Sequence, residues 1–218
     1  MSGASRGQKP TENQVIMNKK LMAIIATLLV ASAYSAQPAF AEGDAEAGKD
    51  LGYTCLGCHG IDGYRNAYPS YRVPKLGGQK AAYIVVALKG YRSNTRQHPT
   101  MSAQATSLSD QQIEDVAAYL ASIGGDTVAE GGSKGASLAQ AQACTACHGS
   151  NGVSVNAVWP TLAGQHEDYL LRALSSYRDG SRTDPVMSAQ AALIAEDDVV
   201  VLAKYFASLE GLETTRPE

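Results

Sequence analysis

All four cysteines of this 218-residue chain fall in two copies of one pentapeptide, Cys55-Leu56-Gly57-Cys58-His59 and Cys144-Thr145-Ala146-Cys147-His148. Two cysteines three positions apart, followed at once by histidine, form the attachment pattern of a c-type haem. Each thiol can close a thioether on one vinyl group, and the histidine is then held against the iron. Other uses of these cysteines fit less well. A zinc site draws its Cys/His ligands from pairs about 12–20 residues apart. Here the second pair begins 144 − 55 = 89 residues after the first. A thioredoxin-like dithiol sits in a βαβ setting, and neither motif has one. Two disulfides would leave both adjacent histidines unexplained. The pattern therefore implies two covalently bound haem c groups, on Cys55 and Cys58 and on Cys144 and Cys147.

The N-terminus reads as an address rather than as fold. Asn18-Lys19-Lys20 is a short basic region, Leu21 to Ala33 is apolar but too short to span a bilayer comfortably, and Ala39-Phe40-Ala41 is an A-x-A cleavage signal. Residues 1–41 are expected to be a cleavable signal peptide with a spurious extension before Met17, so that the mature chain starts at Glu42. Its 218 − 41 = 177 residues suffice for two small domains.

Charge is uneven. Residues 42–123 carry eight Lys/Arg and eight Asp/Glu, whereas residues 124–218 carry six and twelve. The second half is thus more negative by about six charges, and no basic stripe suggests nucleic acid. An acidic surround favours the oxidised state, so the second haem is expected to have the lower potential.

The halves repeat one another. Cys55 to Gly63 maps onto Cys144 to Gly152 at an offset of 89, and after that the offset is 86. Pro74-x-Leu76-x-Gly78-Gln79 then maps onto Pro160-x-Leu162-x-Gly164-Gln165, and Tyr91-Arg92 onto Tyr177-Arg178. Arg96-x-x-Pro99-x-Met101 maps onto Arg182-x-x-Pro185-x-Met187. A long period present twice means duplicated domains rather than a solenoid. The expected division is a first domain over 42–123, a linker over 124–135 and a second domain over 136–218. Each copy predicts three main helices and no strand. These are a helix leading into the haem motif (Asp44 to Thr54; Ser137 to Ala143), a middle helix (Gln79 to Tyr91; Gln165 to Tyr177) and a last one. The last helix of copy one starts at Ser109 with Gln112 three later, a capping box, and its partner runs from about Asp197 to Leu209. In the middle helices the spacing picks out Tyr83, Val86 and Ala87, and Tyr169, Leu170, Ala173 and Leu174.

Duplication tests each candidate ligand, because a residue needed by both haems should recur. Outside the translation-start region the only methionines are Met101 and Met187, and they align. They lie 101 − 59 = 42 and 187 − 148 = 39 residues after their histidines. The axial pairs are therefore read as His59 with Met101 and His148 with Met187; a thioether is a soft, neutral ligand that raises haem potential. His98 and His166 fail the test, since their counterparts are Asp184 and Lys80, and they read as ordinary surface histidines. Pro74 and Pro160 are placed to offer a carbonyl to the imidazole N–H. Arg96 and Arg182 read equally well as partners of haem propionates or as solvated side chains. Tyr91 and Tyr177 read as propionate caps or as packed helix-end aromatics.

Taken together, the paired motifs, Pro-x-Leu-x-Gly-Gln and the Tyr-Arg-x₃-Arg-x₂-Pro-x-Met run resemble the dihaem cytochrome c4 family over nearly all of the mature chain. The resemblance implies an all-α protein of two tandem cytochrome c domains related by a pseudo-twofold axis, with haem edges facing across the interface. It implies a periplasmic electron carrier of the respiratory chain, loosely associated with the membrane. A quinol-oxidising complex or another donor would reduce it, and a terminal oxidase or another acceptor would oxidise it. The alternative is a dihaem enzyme or sensor with one exchangeable axial position, such as a peroxidase; the repeated methionines argue against it. One departure stands out. Copy one has a longer Tyr/Arg-rich loop, Tyr64 to Arg72, where copy two has Val153 to Trp159. It reads as a change in haem exposure, a docking loop for a partner, or a tolerated surface insertion.

Overall fold

A computed structural model describes residues 43–123 and 138–215. The expected leader over 1–41, the start at Glu42 and the linker over 124–135 lie outside the described residues.

Each copy opens with the helix that carries its haem motif. Asp44 caps α1 (Ala45–His59) by accepting the N–H groups of Glu46 and Ala47, and the helix runs on through the whole pentapeptide. Its start is pinned to α4 (Asp110–Ser122), because the Asp44 N–H donates to the Asp115 carboxylate at 2.9 Å. The two helices pack closely because α1 presents glycine at the contact. A Cβ on Gly48 would lie 2.0 Å from the Asp115 carbonyl oxygen, and one on Gly52 would lie 2.6 Å from the Tyr119 ring. The predicted capping box is formed in full: Ser109 Oγ accepts from the Gln112 N–H, and Gln112 Oε1 accepts from the Ser109 N–H. Ile113, Val116, Ala117 and Leu120 on α4 are buried, as their spacing predicts.

Between these helices lie α2 (Ala81–Arg92) and α3 (Pro99–Thr106), with α2 packed against both α3 and α4. The inward face of α2 is Ile84, Val85 and Leu88, while Val86 is exposed. Of the expected positions Val86 faces outward, whereas Tyr83 and Ala87 are half-buried and the Tyr83 hydroxyl meets Arg96 and Arg182. Ala81 to Leu88 is apolar at every position, so periodicity could not distinguish its sides. Copy two follows the same plan: a 3₁₀ turn (Ala139–Ala141), α5 (Gln142–His148), α6 (Glu167–Asp179), α7 (Pro185–Leu193) and α8 (Glu196–Ser208). Its core gathers Ala141, Ala163, Leu170, Leu202, Ala203, Phe206 and Leu209.

Among the described residues each copy has four α-helices where the sequence predicts three, the additions being α3 and α7. Both are short, alanine- and serine-rich segments without an apolar stripe, so pattern reading passed over them. Capping makes them. Each has proline in its first turn behind an extended N-cap residue, His98 or Asp184. Apart from three isolated β-bridges, the described residues contain no strand pairing.

The two copies dock in a twofold pattern. Gln79 reaches across so that its Nε2 donates to the Thr161 carbonyl and its Oε1 accepts from the Thr161 N–H, both at 3.0 Å. Its repeat mate Gln165 does the same to Lys75, both at 2.9 Å. Gln97 N–H donates to Ser181 O at 2.9 Å, and Thr183 N–H to Thr95 O at 2.7 Å. Residues Arg96 and Arg182 form the antiparallel bridge between these mates. A local dyad requires such exchange, in which i meets j and j meets i.

Candidate haem sites

The motif histidines end α1 and α5, and both are buried. His59 Nδ1 donates to the Pro74 carbonyl at 2.8 Å, and His148 Nδ1 to the Pro160 carbonyl at 2.8 Å. A carbonyl only accepts, so Nδ1 carries the proton and Nε2 keeps the lone pair that a metal needs. Burial pulls both imidazoles below the usual histidine range, more than the proline carbonyls lift them, which holds them neutral. All four cysteines are unpaired and half-buried, and burial pushes the Cys55 and Cys144 thiols up.

Met101 and Met187 occupy the third position of α3 and α7. Met101 packs against the same core cluster as Cys55. The N–H of Met101 is held by His98 Nδ1 at 3.3 Å, and that of Met187 by Asp184 Oδ1 at 2.8 Å. His98 is therefore more than a surface histidine: it does in copy one the capping that Asp184 does in copy two. The ligand test missed this because a cap needs an acceptor atom, not one residue type. His166 is a half-buried N-cap of α6 without a side-chain capping bond.

At the dyad the two arginines are buried, so the solvated reading is overturned. Arg96 donates to the hydroxyls of Tyr83, Tyr91 and Tyr169, each at 3.3 Å, and Arg182 donates to Tyr83 at 2.8 Å. Each guanidinium also lies 4.6 Å from a ring centre, Tyr91 for Arg96 and Tyr177 for Arg182. Neither arginine is among the ion pairs of the described residues, and the Nε of each is buried without a partner. Burial alone would raise the Tyr83 phenol, but the two cations outweigh it and hold it down to about 8. Two buried cations that lack an anion leave a demand for carboxylates. A haem carries two propionates, so the residues present fit such a group in each copy.

Loop 64–72 proves to be an inter-copy strap. It folds back on itself through Asn66 N–H to Tyr71 O and Val73 N–H to Tyr64 O, both at 2.8 Å. Asp168 on α6 then accepts from the Arg72 N–H and Nε, each at 3.1 Å, while Arg65 Nη1 stands 3.1 Å from the same carboxylate. Tyr71 is buried and meets Tyr169 with ring centres 6.3 Å apart. One signal was available in the sequence: Asp168 aligns with Ala82, so this charge, like the loop, has no repeat mate.

Asp168 supplies a pH test. Burial pushes its carboxyl up, but the hydrogen bonds from Arg72 and the charges of Arg72 and Arg65 hold it below the usual range. A depressed folded pKa gives stability that is complete above the ordinary carboxylate value of about 4 and is lost as pH falls through the lower folded value. Limited proteolysis within 64–72 should accelerate in that acid window. Asp168→Asn should make cleavage fast at neutral pH and remove the pH dependence. A loop equally protected in the variant would show that the strap does not depend on this charge.

Two tandem helical domains, each built round a Cys-x-x-Cys-His helix with a proline-pinned histidine, define a dihaem c-type cytochrome. The cytochrome c family model matches residues 45–124 and again 132–210. Cytochrome c4 of Pseudomonas aeruginosa is 34% identical over 88% of this chain and 100% of its own. The thiosulfate dehydrogenase electron acceptor of Stutzerimonas stutzeri is 36% identical over 88% and 96%. The crystal structure of reduced recombinant cytochrome c4 from Pseudomonas stutzeri superposes with a TM-score of 0.60 at 35% identity, covering 78% of this chain and 100% of that one. The chain belongs to the dihaem cytochrome c4 family. It is an electron-transfer cytochrome with two covalently bound haem c groups.

Proposed function

We propose that the protein is a periplasmic electron carrier of the respiratory chain whose two haems both stay six-coordinate. Cys55 and Cys58, and Cys144 and Cys147, hold the porphyrins; His59 with Met101, and His148 with Met187, hold the irons. The haem supplies a one-electron change at iron, and everything else is positioning by the chain. The carbonyls of Pro74 and Pro160 fix each imidazole plane and raise its basicity. The caps at His98 and Asp184 set the helices that present the thioethers. Arg96 and Arg182 hold positive charge at the dyad, where the propionates of both copies would meet and the haem edges would face each other. The glutamine clamps keep the two copies in register, so that electron passage between them needs no search.

The observation that carries this reading is the repetition of one His, Pro and Met arrangement in both copies. It speaks for two closed sites and against the peroxidase-like alternative, which needs an open iron. In this reading a quinol-oxidising complex is the donor and a terminal oxidase the acceptor; among the described residues no helix is long and apolar enough to cross a membrane. One relative is named for accepting electrons from thiosulfate dehydrogenase, so a dehydrogenase of that class is the second donor reading.

An optical spectrum of the purified protein tests the closed-site reading. Two haems per chain are expected, both low-spin, with the weak long-wavelength band of a methionine–ferric bond in the oxidised form. A native high-spin signal would overturn it. A redox titration of the same sample should resolve two potentials, the lower belonging to the acidic second copy. The reverse order would mean that packing outweighs net charge.

A further inference from the structure

The last described residues leave the copy they belong to. Leu212 still donates its N–H to Ala163 at 2.8 Å, but Glu213 then exchanges both backbone hydrogen bonds with Gly77 of the first copy, at 3.0 and 3.1 Å. Thr214 Oγ1 donates to Asp62 at 3.2 Å. Thr215 is fully buried, and its hydroxyl donates to the carbonyl of His59 at 2.9 Å. A Cβ on Gly60 would lie 2.9 Å from the Thr215 carbonyl oxygen, so the tail fills the space over the turn that follows His59. This segment lies beyond residue 210, where the match to the family model ends.

Copy two closes the same turn from within. Ser154, in the loop after the motif, is buried with its hydroxyl 3.2 Å from Cys147 O and 3.1 Å from Asn156 O, so it meets the turn one carbonyl earlier than Thr215 does in copy one. The turns differ in shape as well: Gly149 has φ +83°, whereas Gly60 has φ −91°. In copy one the longer loop is drawn away to Asp168. The hydroxyl that reaches the turn comes from the opposite copy instead.

We infer that residues 213–215 are a cross-domain fastener and that Thr215 is a positioning residue for His59, holding the proximal turn of the first haem closed while the copies are docked. The inference rests on the proposed ligation of the first iron by His59. A buried carbonyl without its donor recruits water. Water near a haem stabilises the charged oxidised state and lowers the potential. The glutamine clamps tie the proximal prolines of both sites to docking alike, and the tail adds a second tie at the first site only.

Thr215→Val keeps the volume and loses the donor, and Thr215→Ser restores the donor. In the holoprotein the valine variant should lower the first potential and leave the second unmoved, with Met187→Ala in a parallel sample marking the second haem. Amide exchange at Gly60, Gly77 and Glu213 should quicken roughly tenfold. The serine variant should return both readouts to wild type. Equal shifts at both haems, no shift at either, or no recovery with serine would overturn the fastener. Exchange reads the tail without reference to iron, so unchanged exchange overturns the fastener even where the spectra stand. A wild-type spectrum without two low-spin haems overturns the ligation reading instead.

Discussion

Met101→Ala should open one of the two sites and leave the other untouched. The oxidised protein is expected to lose one of its two methionine–ferric contributions, to bind one carbon monoxide per chain when reduced, and to show a lowered first potential, because a thioether favours ferrous iron. Met187→Ala should do the same at the second haem alone. Stability should fall by about 2 kcal/mol or less, since Met101 is only partly buried and full burial would set the upper range. The spectra decide between ligand and core: the same loss of stability with unchanged spectra would make Met101 packing only. His98→Ala separates cap from ligand. It should cost about 1 kcal/mol through the freed Met101 N–H and leave both haems low-spin.

Gly48→Val is expected to unfold the first domain under conditions in which the wild type is stable. The Cβ would sit 2.0 Å from the backbone oxygen of Asp115, and backbone cannot swing aside as a flexible side chain can. Overpacking typically costs about 1–3 kcal/mol, and more where the clash is with backbone, a large part of a domain's margin, against less than about 0.5 kcal/mol gained in helix propensity on going from glycine to β-branched valine. Denaturant titration followed at the first haem would read the loss. Gly57→Ala is the control. It lies on the same helix with open space around it, and Ala146 already stands at the matching place in copy two. It should change stability by less than about 0.5 kcal/mol. A loss at Gly48 no larger than that at Gly57 would show that the α1–α4 contact does not govern the site.

Local chemistry was legible wherever a short pattern carries its own geometry. The capping box at Ser109 forms as read, because its bonds close within four residues. The proline carbonyls meet the histidines as expected, because the repeat kept both partners in both copies. The inward face of α2 was not legible, since eight consecutive apolar residues present no contrast. Neither were α3 and α7, whose helices depend on caps of different residue type, His98 and Asp184.

By itself, then, the sequence determined a duplicated helical chain that carries two haem c groups, since each attachment motif is complete within five residues. Tertiary structure alone decided how the copies meet. Gln79 and Thr161 are 82 residues apart, Arg72 and Asp168 are 96, and His59 and Thr215 are 156. None of these pairs shares a helix face or a turn, so no periodicity links them. The burial of Arg96 and Arg182 has the same cause. A guanidinium looks alike in water and at a dyad until the second copy closes over it. Contacts of this kind exist only after the chain has folded twice and the halves have docked, and they make two near-identical sites unequal.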